Sequence, residues 1–263
     1  MAKQAPDPDE LRNDLVGAID RGEFRLEFQP VVRLGGGMVV GAEALIRWRH
    51  PRRGTIAPND FLAVADEAGL LDGIGIFVLD QAARAAVTWP RTPERPGFVS
   101  VNVAPSQLRG PGAAPRMLGL LSGAGLDPHL LTIELTSGVS GDTATIFAAL
   151  TELREAGVSI ALDDFGAATS LADLKQLPID QVKLAREFVA AIDGPAQEQA
   201  FALSLITLAD VRGADVVAKG VESREQAWRL AELGCRYGQG FFFSKPLGAS
   251  GVVAVLRQGT LRG

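Results

Sequence analysis

From Gly41 onward the chain alternates two hydrophobic patterns. Short runs rich in Val, Ile, Leu and Phe are each followed by a longer stretch in which apolar residues recur at helical spacing. The short runs predict strands at Gly41–Trp48, Phe98–Val103, Leu131–Thr136, Ser159–Asp163, Gln181–Leu184 and Asp215–Ala218, with a brief one near Tyr237. The longer stretches predict helices at Asn59–Ala68, Ile74–Trp89, Thr143–Ala156, Gln197–Val211 and Arg224–Leu233. An earlier run, Phe24–Val32, adds a first strand. The triple glycine Gly35-Gly36-Gly37 after it predicts a hairpin turn. It is not a phosphate loop, because no Gly-Lys-Ser/Thr follows. Repeated βα units imply a parallel sheet with helices outside it. About eight strands suit a closed α/β barrel built as one domain. A doubly wound open sheet would show the same pattern, and the pattern alone does not separate the two. Residues 1–20 read as a polar, helical lead-in and residues 21–263 as the barrel.

The polar residues that interrupt the strands gather near their C-terminal ends. Glu43 lies in the second strand, Asn102 closes the third, and Glu134 sits late in the fourth. Asp163 and Asp164 end the fifth, Lys183 the sixth, and Lys219 and Glu222 follow the seventh, with Gln239 after the last. In a parallel barrel these ends meet on one face, where active sites sit. Any single carboxylate there is more simply a cap or a solvated turn residue, and Asp163-Asp164 alone reads as a turn. The set is harder to explain that way, since one falls at almost every strand end. Converging carboxylates repel one another and raise each other's pKa unless cations neutralise them. Hard divalent ions with oxygen ligands, Mg²⁺ or Mn²⁺ among them, are the matching partners.

Composition narrows this picture. Of 263 residues, 47% are hydrophobic and 22% charged, an ordinary globular balance able to bury a large core. The net charge of -5 argues against broad binding to nucleic acid or an anionic membrane, though a local pocket can still be basic. One cysteine, Cys235, excludes an intramolecular disulfide and suits a reducing cytosol. It reads as a small buried hydrophobe. His50 and His129 are the only histidines, so a dedicated zinc site is not expected. The start of the chain lacks a signal-peptide core, and no apolar run is long enough to span a bilayer. The expectation is a cytoplasmic protein.

The motifs then point to a family. Gly41-Ala42-Glu43-Ala44-Leu45-Ile46-Arg47-Trp48-Arg49-His50-Pro51 resembles the signature of EAL-domain cyclic-di-GMP phosphodiesterases. Phe28-Gln29-Pro30 precedes it and Pro58-Asn59-Asp60-Phe61 follows. Val101-Asn102-Val103, Glu134-Leu135-Thr136, Asp163-Asp164-Phe165-Gly166, Leu177-Pro178-Ile179-Asp180, Gly220-Val221-Glu222 and Gly238-Gln239-Gly240-Phe241 occur in the family's order. The resemblance runs from about Phe24 to Leu247. It implies a TIM-like β/α barrel whose first strand is antiparallel to the rest. It implies hydrolysis of one phosphodiester of cyclic-di-GMP to the linear dinucleotide pGpG. It also implies that Glu43, Asn102, Glu134 and Asp163 hold one Mg²⁺ or Mn²⁺, with Asp163 and Asp164 sharing a second. Two such ions, about 4 Å apart, activate water and stabilise the leaving oxygen. By the same resemblance Lys183 and Glu222 belong to the catalytic set, Arg47 contacts a phosphate, and Gln29, Leu45 and Gln239 line the ligand site. The other arginines of 47–53 read as solvated.

Four positions depart from the family pattern. Lys219 stands where active members carry the first glutamate of Ala-Glu-Gly-Val-Glu. An ammonium there repels a divalent ion, and it could pair with Asp164 or Glu222 and take over the second metal's electrostatic role. Ser137 replaces the glutamate that braces the loop after Asp-Asp-Phe-Gly. That loop, Gly166-Ala167-Ala168-Thr169-Ser170-Leu171, is one residue short and lacks its second glycine. Ala185 replaces the aspartate of Lys-Ile-Asp. The site therefore reads as degenerate, retaining one metal site. The expected function is binding of cyclic-di-GMP with weak or absent hydrolysis. An active phosphodiesterase is the first alternative, and a protein-interaction module with a vestigial pocket the second. A homodimer or a protein partner stays open.

Overall fold

The computed structural model describes residues 8–135, 143–167, 174 and 176–261. Thr136, Ser137 and the stretch 168–171 lie outside the described residues. Strands β1 (Phe24–Arg33), β2 (Met38–His50), β3 (Gly54–Ile56), β4 (Phe98–Val103), β5 (Leu131–Leu135), β6 (Ser159–Phe165), β7 (Gln181–Leu184), β8 (Asp215–Lys219) and β9 (Tyr237–Gln239) form one sheet. Its order is β1-β9-β8-β7-β6-β5-β4-β2-β3, and β1 also pairs with β2. That second pairing closes the sheet into a barrel, with β3 appended as a short hairpin partner of β2. The open-sheet alternative is thereby excluded.

Strand β1 runs antiparallel to both neighbours, whereas β2 and β4 through β9 run parallel around the barrel. A parallel barrel gathers its C-terminal strand ends on one face, the mouth. Because β1 is reversed, it is its beginning that lies at the mouth. The β1–β2 connection is the glycine turn, and Gly35 and Gly37 take the left-handed conformations that favour glycine, with φ of 81° and 64°.

Side-chain alternation sorts β1 and β2 into two faces. Phe24, Phe28, Ala44, Ile46 and Trp48 join the main core beneath the helices, where Phe24, Trp48 and Phe61 pack ring against ring at 5.6–5.8 Å. Each such ring contributes roughly 1.5–3 kcal/mol by burial. The intervening positions, Arg25, Glu27 and Gln29 on β1 and Glu43, Leu45 and Arg47 on β2, therefore share the opposite face, toward the barrel lumen. A direct bond from Arg47 Nε to Glu27 agrees with that assignment.

Helices at Pro58–Glu67, Leu71–Val87, Thr143–Glu155, Ala196–Val211 and Arg224–Glu232 match the expected ones, and Ser223 caps the last by accepting from Gln226 N at 3.0 Å. Pro105–Leu108, Ala113–Ala124, Arg186–Ala191 and Ala249–Gln258 add helices beyond those expected. The lead-in contains helix Pro8–Leu15, which buries Leu11 and Leu15. Asp14 fastens it to the end of β2, accepting from His50 Nε2 and Arg52 Nη2, each at 2.9 Å. Arg49 is exposed, and Arg52 is exposed but ion-paired, while Arg53 is partly covered and pairs with Glu10. Cys235 is buried and free, and burial pushes its thiol up to about 12. No helix among the described residues is long and apolar enough to cross a membrane.

Candidate active site

Most of the expected polar residues meet in two linked clusters at the barrel mouth. Register explains the first. Gln29 pairs with Glu43 across β1 and β2, and Asn102 pairs with Glu134 across β4 and β5, so all four enter the lumen near one level. Lys183 rises from β7 between them. Its Nζ lies 2.6 Å from Glu43 Oε2 and 2.6 and 2.7 Å from the two Glu134 oxygens. Gln239 Nε2 donates to the same Glu43 oxygen at 2.6 Å, and Asn102 Nδ2 donates to the other at 2.9 Å. Glu43, Glu134, Lys183 and Gln239 are all buried.

The second cluster depends on a backbone irregularity. Successive strand residues point to opposite faces, so Asp163 and Asp164 should diverge. The β6–β7 register shifts between Leu162 and Phe165, and Asp164 adopts a positive φ of 46°. A bulge of this kind re-aims a side chain and recurs beside active sites. Here it brings both carboxylates to one ammonium: Lys219 Nζ lies 2.7 Å from Asp163 Oδ1 and 2.7 Å from Asp164 Oδ1. The sequence offered Asp164 or Glu222 as partners for Lys219. The partners are Asp163 and Asp164, and Glu222 stands apart, exposed, with its backbone N–H bonded to Gln226.

The charges are unequal. Four carboxyl groups, Glu43, Glu134, Asp163 and Asp164, face two ammoniums. Burial pushes Glu43 upward, but the Lys183 charge and the bonds from Lys183 and Gln239 outweigh it and hold the carboxyl at about 2. At Glu134 burial dominates, the neighbouring Glu43 charge adds to it, and the carboxyl rises to about 8. Burial works against both lysine charges, yet the surrounding carboxylates raise Lys183 and Lys219 above the ordinary lysine value.

A divalent cation would relieve the excess negative charge, and the oxygen-rich donor set of Glu43, Asn102, Glu134 and Asp163 suits a hard ion. Asn102 donates through its nitrogen to Glu43, which keeps its oxygen as the remaining donor. In the ligand-free arrangement Lys183 bridges Glu43 and Glu134, as Lys219 bridges Asp163 and Asp164, so both carboxylate pairs are already neutralised by an ammonium. Among the described residues no three acidic, His or Cys side chains converge around a common point, since the lysines hold the carboxylates in pairs.

At the rim, Arg47 is largely covered and its Nε donates to Glu27 at 2.9 Å. Leu45 is half-buried between Glu43 and Arg47 on the same face. Gln29 is buried, with its nitrogen 3.5 Å from Ser244 O. Glu27 was not singled out from the sequence. Its only signal is parity, since it shares the lumen face with Gln29.

Comparison with known proteins places this site in context. The family model described as "EAL domain" matches residues 12–246. An uncharacterized protein of Mycobacterium tuberculosis is 41% identical over 238 residues, covering 88% of this chain and 77% of the relative. The cyclic di-GMP phosphodiesterase RocR of Pseudomonas aeruginosa is 37% identical over 238 residues, 89% of this chain but only 60% of RocR. Among solved structures, the PaMucR phosphodiesterase in complex with c-di-GMP superposes with a TM-score of 0.85 at 33% identity, covering 92% of this chain and 99% of that one.

Proposed function

This chain belongs to the EAL domain family, and we propose that it binds cyclic-di-GMP at the barrel mouth with weak or absent hydrolysis. One observation carries the second half of that reading: Lys219 Nζ bonds both Asp163 and Asp164 at 2.7 Å. A tethered monovalent charge there neutralises the carboxylates that a second divalent ion would need, yet it offers no water to activate. The first half is supported by relatives named as cyclic-di-GMP phosphodiesterases and by a similar structure that contains the ligand.

In this reading Arg47 takes a phosphate, and Gln29, Leu45 and Gln239 line the ligand site. Glu43, Asn102, Glu134 and Asp163 would hold one Mg²⁺ or Mn²⁺, which when bound supplies Lewis-acid polarisation of a phosphoryl oxygen. Lys183 holds Glu43 and Glu134 in place and keeps Glu43 charged beside that ion. Glu222, exposed at the loop after β8, keeps the family residue of that motif but bonds neither lysine. A cytoplasmic location accords with the acidic chain, its lone buried thiol and an intracellular second messenger.

The intact first donor set favours a second reading, a slow phosphodiesterase working with one ion. The two separate in one assay: labelled cyclic-di-GMP is incubated with the protein and Mg²⁺ or Mn²⁺, and retention and cleavage are both measured. Retention without linear product is expected. Product that disappears in Glu43→Ala would establish the slow enzyme, and neither signal would leave a protein-interaction module with a vestigial pocket. Lys219→Glu restores the family residue and is expected to raise turnover at least tenfold. If turnover stays at background while binding persists, Lys219 is not the lesion.

A further inference from the structure

Two arginines face each other across the β1–β2 pair, and the Nε of one of them is buried without a hydrogen-bond partner. Arg25 and Arg47 are direct cross-strand neighbours in the β1–β2 register. Both face the lumen side by alternation, and the reversal of β1 puts its first residues at the mouth. Arg47 is satisfied by Glu27 and by the carbonyl of Ile46 at 3.0 Å. Arg25 is not: its Nε is buried without a hydrogen-bond partner. Like charges directly opposite across a strand pair are unfavourable, and a buried guanidinium N–H left unmade is costly. Glu27 bonds Arg47 alone, so the Arg25 charge stands uncompensated at the edge of an otherwise acidic site.

We propose that Arg25 and Arg47 form a clamp for one phosphate of the bound nucleotide, with Glu27 holding Arg47 in the ligand-free state. The proposal rests on the cyclic-dinucleotide reading above and names the residues that receive the ligand's charge. Facing guanidiniums on adjacent strands, with side-chain origins about 5 Å apart, can each present a donor fork to a different pair of oxygens on one phosphate. A base edge would occupy one fork and leave the other unpaired. The resemblance already gives Arg47 a phosphate; Arg25 lies outside the motif segments and is set opposite Arg47 by the β1–β2 register.

Titration calorimetry with cyclic-di-GMP as the probe, at several salt concentrations, tests the clamp. Arg25→Gln is expected to weaken binding about tenfold or more and to flatten its salt dependence, with the ligand-free melting temperature unchanged or raised. Arg25→Lys keeps the charge but not the fork and should fall between. Glu27→Gln releases Arg47 and is expected to tighten binding, an effect no merely structural role for Glu27 would produce. If the unaltered chain does not bind cyclic-di-GMP, the nucleotide reading fails and the clamp with it. If the unaltered chain binds and both Arg25 variants match it, the clamp alone is wrong. Weakened binding with undiminished salt dependence would assign Arg25 to a base and likewise overturn it.

Discussion

Lys183 shows how one residue can hold a site together. Its ammonium is buried and bonded to Glu43 and Glu134, so it is a structural counter-charge before it is anything chemical. Lys183→Met removes the positive charge and leaves the Glu43 carboxylate buried beside Glu134 without its ammonium. Breaking a buried pair from one side costs about 3–5 kcal/mol, and urea unfolding at neutral pH should show a loss of that size. A loss below 1 kcal/mol would mean that water or relaxation already screens the pair. The identities of these residues were legible in the sequence because Glu134 and Lys183 fall near strand ends and Glu43 lies in the longest motif run. Their bonding was not. Strand position says that Asp163, Asp164 and Lys219 come near one another, but the positive φ at Asp164 decides that both carboxylates reach one ammonium. Arg25 and Glu27 went unseen for another reason: they lie outside the motif segments, and only the β1–β2 register sets them beside Arg47 and Leu45.

Among the elements, the long amphipathic helices and the hydrophobic strands were readable, and the short or unpatterned ones were not. Helix Ala113–Ala124 contains Pro115, Gly119 and Gly123, which read as breakers, although proline in a first turn is tolerated. Strand β3 is three residues long, too short for any periodicity. The link from β8 to β9 is also set by close approach. A Cβ on Gly240 would lie 2.1 Å from Val221 O and 2.3 Å from Val221 N, both backbone atoms. Val221 N bonds Gln239 O at 3.0 Å and Phe242 N bonds Val221 O at 3.1 Å, so the two segments have no slack. Gly240→Ala should therefore push Gln239 off Glu43, lower stability by about 1–3 kcal/mol and weaken ligand binding. Gly248→Ala, where a Cβ meets nothing within 4 Å, serves as the control and should melt like the parent. Equal melting temperatures for the two variants would refute the argument.

At the scale of the whole barrel, closure is uneven. The β1–β2 pairing extends along nearly all of β1, but β9 meets β1 through only Val32↔Gly238 and Arg33↔Tyr237. That seam is reinforced by Leu34 N to Arg236 O at 3.0 Å and by the reciprocal bonds between Phe28 and Leu247 at 2.7 and 2.8 Å. Local opening follows the regions with fewest cooperative contacts. Hydrogen–deuterium exchange should therefore appear in 236–247 before it reaches β4, β5 and β6, which pair in continuous parallel register. The site straddles this seam, with Gln29 on β1, Glu43 on β2 and Gln239 on β9. A ligand that touches all three ties the closing strands together, and stabilisation by binding appears in whatever opening the ligand forbids. Adding cyclic-di-GMP should slow exchange at 236–247 more than at β5 if the nucleotide seats across the seam. Equal slowing everywhere would report only global stabilisation, and slowing confined to the parallel strands would move the ligand away from Gln29 and Gln239.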